Sequence, residues 1–398
     1  MRILYHYRLA SKDGQYVHLE GVVGALRTLG HEVIIAGPKL AENQGFGGES
    51  RWVRRFKRWM PQALYEVAEC GYSFLDYFRM SRAIRQCHPD FVYERYNLFF
   101  TSGLWIRRRH RLPWLIEVNA PLFDERCAYG GLRLKKLARW TERSVWCGAD
   151  HVFAVTQVLA ERIEREGVAR ERVTVTPNGV DTAAFERLPP RCEAKQRLGL
   201  ADGVVLGFTG FIREWHGLER VLVAMQQWHA PSHFLLVGDG PARVALEERA
   251  RALGIAANIT FTGIIGRSQV VRFINAFDIA LQPDVVAYAS PLKLFEYMAA
   301  ACAIVAPDRP NIREILTHDV NAWLFDPDDP DSFVAGVARL ADDPVLRQRL
   351  GSAARATICQ RRLTWIANAE RIMVCARALI DSNDSGPRLV FEPGKRGD

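Results

Sequence analysis

Short apolar runs that end in Gly, Asp or Pro, each separated from the next by a stretch of helical periodicity, leave this chain few folds to choose from. After residue 200 the runs are GVVLGFTG, HFLLVGDG, NITFTG, IALQPD and AIVAPD. Continuous apolar runs of this length read as parallel strands buried on both faces, whose C-terminal ends open into loops. The beginning of the chain repeats the pattern: RILYHYRL, a turn SKDGQ, a helical stretch YVHLEGVVGALRTLG, then the strand HEVIIAG. Gly30 stands just past that helix, where a glycine ends the last turn. Further strands are predicted over 90–94, 114–118 and 151–155. Strand and helix alternating in this way specify an α/β protein with doubly wound parallel sheets.

A chain of 398 residues exceeds one ordinary core, and the two series of strands divide it. The stretch VTPNGVDTAAFERLPPRCEAKQRLG between them is rich in proline and turn residues. The expected organisation is an N-terminal Rossmann-like domain over 1–175, a linker over 176–202, a second Rossmann-like domain over 203–358 and a completing helix over 359–380. The tail 381–398 is rich in Gly, Pro and charge and is expected to be disordered.

Eight cysteines without CxxC pairs read as reduced thiols. The opening MRILYHYRLA carries no signal pattern, and no stretch reaches the roughly 18 apolar residues of a membrane span. Both features predict a cytoplasmic protein. No Cys/His cluster has zinc spacing, and DPDDPD at 326–331 reads as loop and capping chemistry, so no metal and no cofactor is expected. The net charge of +8 favours an acidic partner.

The stretch SPLKLFEYMAAACAIVAPD (290–308) is the most informative. Ser290 reads as the N-cap of a helix with Pro291 at its first position. Lys293 then adds a full charge to the free N–H groups of the first turn, which suits a phosphate. Glu296, acceptor-only when ionised, suits paired hydroxyls such as those of a ribose.

TPNGVD (176–181), GFTGFIREWHGLERVL (207–222), VGDGP (237–241), ITFTG (259–263) and SPLKLFEYMAAACAIVAPD, in this order and spacing, resemble family 4 glycosyltransferases of the GT-B fold. DGQYVHLEGVVGALRTLGHEV looks like that family's glycine loop and following helix, and the resemblance covers all but the tail. It implies two Rossmann-like domains facing each other across a cleft, and a retaining transfer of sugar from a nucleotide-diphosphate donor to a glycan or lipid-linked acceptor. It also implies a place in exopolysaccharide or lipopolysaccharide assembly. Glu296 matches the glutamate that contacts the donor ribose, Arg213 lies in the pyrophosphate-binding loop, and Lys293 is placed to join it. Gly14, Gln15, Gly210, His216, Gly238, Ser290, Pro291 and Leu292 complete the implied donor site, with His18, Glu117 and Asn119 on the acceptor side.

The chain departs from the family pattern at three of these places. Tyr288 stands where the family has the first glutamate of a pair whose second is Glu296, His216 where it has a lysine, and Asn119 where many members have a histidine. A neutral or protonated imidazole still donates to phosphate, whereas an asparagine amide cannot serve as a base. A mechanism that needs a base at 119 is therefore disfavoured.

RWVRRFKRWMPQAL (51–64) has five basic residues in its first nine, with Trp52, Phe56 and Trp59 at helical spacing. This pattern fits a helix lying on an anionic membrane surface, or one packed on its own domain. RRRHR at 107–111 extends the same basic character, and no nucleic-acid recognition motif accompanies it. Two alternatives to the transferase are a nucleotide-sugar 2-epimerase, which would need acid/base carboxylates and histidines in the cleft, and an inert binding or scaffold protein of the same fold. A Rossmann dehydrogenase would need a GxGxxG after the first strand, and none is there.

Overall fold

The computed structural model describes residues 1–8, 14–37, 60–200, 203–228 and 232–384. The basic segment 51–59 lies outside them. Two six-stranded parallel sheets carry the chain. The first has the order β2-β1-β3-β4-β5-β6, with β1 Arg2–His6, β2 Glu32–Ala36, β3 Phe91–Arg95, β4 Trp114–Val118, β5 His151–Ala154 and β6 Val173–Val175. The second has the order β12-β11-β10-β7-β8-β9, with β7 Val204–Thr209, β8 Ser232–Val237, β9 Ile259–Phe261, β10 Ile279–Leu281, β11 Ala303–Pro307 and β12 Trp323–Phe325. All pairings are parallel, as the apolar runs predicted. The edge strands β6 and β12 were not foreseen.

Helices cover both faces of each sheet and bury two apolar layers per domain. The chain order is crossed at the end: the helix Trp365–Asp384 leaves the second domain and packs Trp365, Ala369, Ile372, Met373 and Ala376 into the core beside β1, with Ile3, Tyr5, Leu19 and Val22. Burial of these side chains stabilises the union of the two domains by roughly 2 kcal/mol for each large one. Nearby, the isolated bridge between Val180 and Thr364 and the bond from the Asn368 amide to the Pro177 carbonyl, 2.6 Å, tie the same crossing to the linker.

Polar contacts also join the domains. The backbone N–H groups of Gln157 and Val158 donate to the Glu314 carboxylate at 2.8 and 3.2 Å, so a residue of the second domain satisfies the first turn of the helix Gln157–Arg165. One local expectation is corrected here. The helix Leu292–Ala299 has Pro291, not Ser290, at its N-cap, and no side chain caps it. Ser290 instead turns toward the linker, where its hydroxyl accepts from the Asn178 N–H at 3.1 Å and its carbonyl accepts from the Asn178 amide at 2.5 Å. That interdomain pairing satisfies the polar groups of Ser290 and takes it away from the helix. Asp329 does cap the helix Pro330–Asp342, accepting from the Asp331 N–H, as DPDDPD indicated.

Candidate active site

The C-terminal ends of β7 and β8 form one wall of the cleft. Their backbones interlock: Gly210 N–H donates to the Val237 carbonyl at 2.9 Å, and Ile212 N–H to the Asp239 carbonyl at 2.9 Å. Gly238 has φ +141°, and a Cβ there would lie 2.1 Å from the Gly210 carbonyl oxygen, so no other residue fits without moving the strand end. The result is a side-chain-free cradle of backbone.

Lys293 reaches over this cradle from the helix Leu292–Ala299. A Cβ on Gly210 would stand 3.4 Å from its Nζ, and Nζ itself lies 3.7 Å from the centre of the Phe208 ring. Burial pushes the Lys293 ammonium down to about 7, against an upward pull from the Glu296 carboxylate. Glu296, one turn on and half-buried like Lys293, is raised by the same burial, with Arg267 and Lys293 opposing. What fixes the helix is Tyr297, fully buried, whose hydroxyl oxygen accepts from the Thr209 N–H at 2.8 Å. Sequence reading missed Tyr297, since nothing distinguishes a tyrosine that anchors a helix to β7 from one that only fills a core.

Arg213 and His216 lie in the loop after β7, His216 with its ring centre 5.2 Å from that of Phe208. The Arg213 guanidinium lies between the rings of Phe211 and Trp215, 4.8 and 4.6 Å from their centres, which holds a mobile cation in one orientation. Burial first, then Lys293 and Arg213, push the His216 imidazole down to about 2, so it is neutral. Its Nδ1 accepts from the Arg213 N–H at 3.4 Å, which assigns the proton to Nε2. His216 is thus a neutral donor where the sequence left its charge open. Together the loop and helix bring two cationic side chains and one imidazole N–H to the region after β7, a set able to pair with the oxygens of a phosphate or diphosphate.

The acceptor-side candidates are arranged differently. Glu117, on β4, is buried and accepts from the Tyr93 hydroxyl at 3.0 Å, the Tyr5 hydroxyl at 3.2 Å, Arg95 at 2.9 Å, His18 Nε2 at 3.0 Å and the Asn119 amide at 3.4 Å. Burial would raise this carboxyl, but His18 and Arg95, with the Tyr93 hydrogen bond, outweigh it and hold it at about 2. His18 is buried as well, its Nδ1 2.7 Å from Asn178 Oδ1. Glu117 and His18 therefore form the floor beneath the cleft, while Asn119 is half-exposed at its surface. Gly14 opens the helix Gly14–Thr28 that carries His18, and Gln15 is exposed in its first turn. Through Asn178, His18 is connected to Ser290, so the helices that follow Gly14 and Pro291 are joined by one asparagine of TPNGVD.

Leu292 packs on the apolar cluster of the first domain. Opposite Arg213, Tyr288 meets Glu125 of the helix Leu122–Tyr129 across the cleft, a contact no local pattern announces. Among the described residues no group of three or more His, Cys, Asp or Glu side chains could hold a metal ion, and no helix is long and apolar enough to cross a membrane. The eight cysteines are unpaired.

Comparison with known proteins matches each half to a family. Residues 191–357 match glycosyl transferases group 1, and residues 12–184 match glycosyltransferase family 4. A lipopolysaccharide core biosynthesis glycosyltransferase, LpsD, of Rhizobium meliloti is 25% identical over 296 residues, 72% of this chain and 75% of that protein. An alpha-monoglucosyldiacylglycerol synthase of Streptococcus pneumoniae is 21% identical over 335 residues, 79% of this chain and 74% of that protein. Among solved structures, Anabaena HepE in complex with UDP superimposes with a TM-score of 0.74 at 17% identity, over 95% of this chain and all of that one. WaaG, a glycosyltransferase involved in lipopolysaccharide biosynthesis, gives 0.68 at 14% identity, over 97% of this chain and all of that one. With both halves matched in order and two facing parallel sheets in place, the chain belongs to the family 4, group 1 glycosyltransferases of the GT-B fold.

Proposed function

We propose that this glycosyltransferase takes a sugar from a nucleoside-diphosphate sugar bound to its second domain and transfers it, with retention, to a hydroxyl of a glycan or lipid-linked acceptor held by its first. The observation that carries this reading is Lys293 standing over Gly210 of the Gly210–Gly238 cradle and, like the neutral His216, against the Phe208 ring, with Arg213 in the loop of His216 and Glu296 one turn further along the helix. The solved complexes of HepE with UDP and with UDP-glucose agree with such a donor. No metal enters the scheme, because two side-chain cations stand where negative charge grows.

In the reaction the bond between the anomeric carbon and the β-phosphate oxygen breaks, and the acceptor oxygen bonds to that carbon on the same face. The acceptor's proton passes to the departing phosphate oxygen, leaving a glycoside and a nucleoside diphosphate. No protein base is required, in keeping with Asn119. The cations stabilise the charge that builds on the β-phosphate, and removing one costs about 3 kcal/mol of barrier, as for loss of an oxyanion-hole donor.

An acceptor with a lipid part is supported by the outer face of the first domain. Leu64, Val67, Phe74, Leu75 and Phe78 form an exposed apolar stripe along the helix Gln62–Cys87. A groove of about 590 Å³ beside it is lined by Phe74, Trp105, Trp140 and Arg108. Beside an Arg107 that is paired with Asp150, Arg108 and Arg109 close the helix Ser102–His110 with positive charge, which suits an anionic headgroup. Two relatives are named for lipopolysaccharide core and alpha-monoglucosyldiacylglycerol synthesis. On this reading the enzyme works in the cytoplasm, against the inner membrane surface.

Thermal-shift screening against UDP, GDP, ADP and TDP and their common sugar conjugates tests the donor, with Glu296→Ala as the control. The expected result is a rise for one base that the variant loses. No response to any nucleotide would return the inert scaffold to first place. NMR of the product's anomeric configuration then decides retention, and sugar-nucleotide interconversion without acceptor would mark the epimerase.

A further inference from the structure

The helix Leu122–Tyr129 belongs to the first domain and is fastened to it at three contacts. Phe123 N–H donates to Glu142 at 3.1 Å, Asp124 pairs with Arg162 at 3.1 Å, and Arg126 pairs with Glu69 at 2.9 Å. Glu125, in the midst of these, takes its hydrogen bond from outside the domain, from the phenol of Tyr288. Tyr129, four residues on and so on the same helix face, meets Trp215, their ring centres 6.3 Å apart. This face therefore looks across the cleft at two loops of the second domain, one of which carries Arg213 and His216. The Tyr288 loop is held closed on the first domain by a second bond, from the Thr156 hydroxyl to the Tyr288 carbonyl at 3.0 Å.

The placement has a chemical consequence. The helix that carries Glu125 meets the Arg213 loop through Tyr129 and Trp215, and Arg213 acts on the Glu125 carboxyl electrostatically, so on the donor reading this carboxylate belongs with the diphosphate side of the site. Beyond the β-phosphate the donor continues as a sugar, whose ring hydroxyls are donors in want of an acceptor. The second domain offers no carboxylate of its own at 288. A half-buried carboxylate takes two such hydroxyls at once, and no other side-chain type at this position accepts without also donating.

We propose that Glu125 contacts the hydroxyls of the transferred sugar, delivered across the cleft from the first domain, and that Tyr288 is the positioning residue that aims it. The inference rests on the donor reading above. It makes recognition of the sugar conditional on the two domains being closed, since nucleotide and sugar are then held by different halves of the chain. It also makes Glu125 a determinant of which sugar is accepted.

The test is calorimetric titration of the full chain with UDP, UDP-glucose, UDP-galactose, GDP and GDP-mannose, for the wild type, Glu125→Ala, Glu125→Gln and Tyr288→Phe. The site is half-buried, and thermal denaturation checks that each variant is folded. For Glu125→Ala and Glu125→Gln, affinity for the free nucleoside diphosphate should stay within twofold of wild type. The ratio of sugar-conjugate to free-nucleotide affinity should change at least fivefold, and discrimination between the glucose and galactose conjugates should narrow. Tyr288→Phe should move the same ratio by a smaller factor, without affecting free nucleotide. An unchanged ratio in the Glu125 variants overturns the proposal and leaves the donor reading intact. Equal losses for free and conjugated nucleotide also overturn it, because a latch between domains behaves that way. An unchanged ratio in Tyr288→Phe overturns the positioning role. A wild type that binds none of the five probes overturns the donor reading and this inference with it.

Discussion

The Lys293 ammonium rests 3.7 Å from the centre of the Phe208 ring, at the back of the candidate diphosphate site. The ring is a weak partner compared with water, so the charged form is held near its limit, at about 7. A bound phosphate favours the charged form and raises this value, so the proton is taken up on binding whenever the pH lies above about 7. Nucleoside diphosphate affinity is therefore expected to be level below pH 7 and to fall, by up to tenfold per unit, as pH rises above it. Calorimetry at pH 8 in buffers of different ionisation enthalpy should find proton uptake approaching one per site. Lys293→Arg, charged throughout, should remove both effects.

Gly238→Ala should damage the second domain. Its backbone angle is one that side chains rarely adopt, and the added Cβ meets the Gly210 carbonyl at 2.1 Å. A loss of at least about 2 kcal/mol in urea denaturation is expected, together with loss of the nucleotide-induced thermal shift.

Glu117 should make the first domain acid-sensitive in a defined window. Its folded value of about 2 lies below the ordinary glutamate value of about 4.3, so its stabilisation is fully present above pH 4.3 and is lost as pH falls through 2. The difference amounts to about 3 kcal/mol, and Glu117→Gln should flatten that part of the stability curve. Glu117→Ala at pH 7 leaves Arg95 and His18 without their carboxylate in a buried site and is expected to cost about 3–5 kcal/mol.

Glu314→Ala should loosen the union of the domains where it is polar. The carboxylate satisfies two N–H groups of the helix Gln157–Arg165, so the cost is about 1 kcal/mol. Hydrogen exchange at the Gln157 and Val158 amides should accelerate severalfold, with the β4 amides unchanged.

Much of the fold was legible because its signals are local. Each run such as GVVLGFTG or AIVAPD declares a buried parallel strand, whereas Val173–Val175 and Trp323–Phe325, at the sheet edges, were passed over. The candidate donor-side residues are local in the same way: Gly210, Arg213 and His216 sit within seven residues of sequence, and Lys293 and Glu296 within one helical turn. Ser290 was misread because a serine before proline looks like a cap, and only the arrival of Asn178, distant in sequence, gives it another partner. His18 and Glu117 were expected on the acceptor side; the structure buries both, and that burial depends on Tyr5, Tyr93 and Arg95 arriving from neighbouring strands.

By itself, then, the sequence determined two doubly wound sheets and grouped the residues around Gly210 and Lys293, because periodicity, turn glycines and helix starts act over a few residues. Tertiary structure alone decided which charges meet across the cleft. Glu125 faces Tyr288, Glu314 caps a helix of the other domain, and Trp365 returns to the first core because strand crossovers and sheet twist set where distant segments lie. Those distances are fixed by the packing of whole layers, and no window of the sequence contains them.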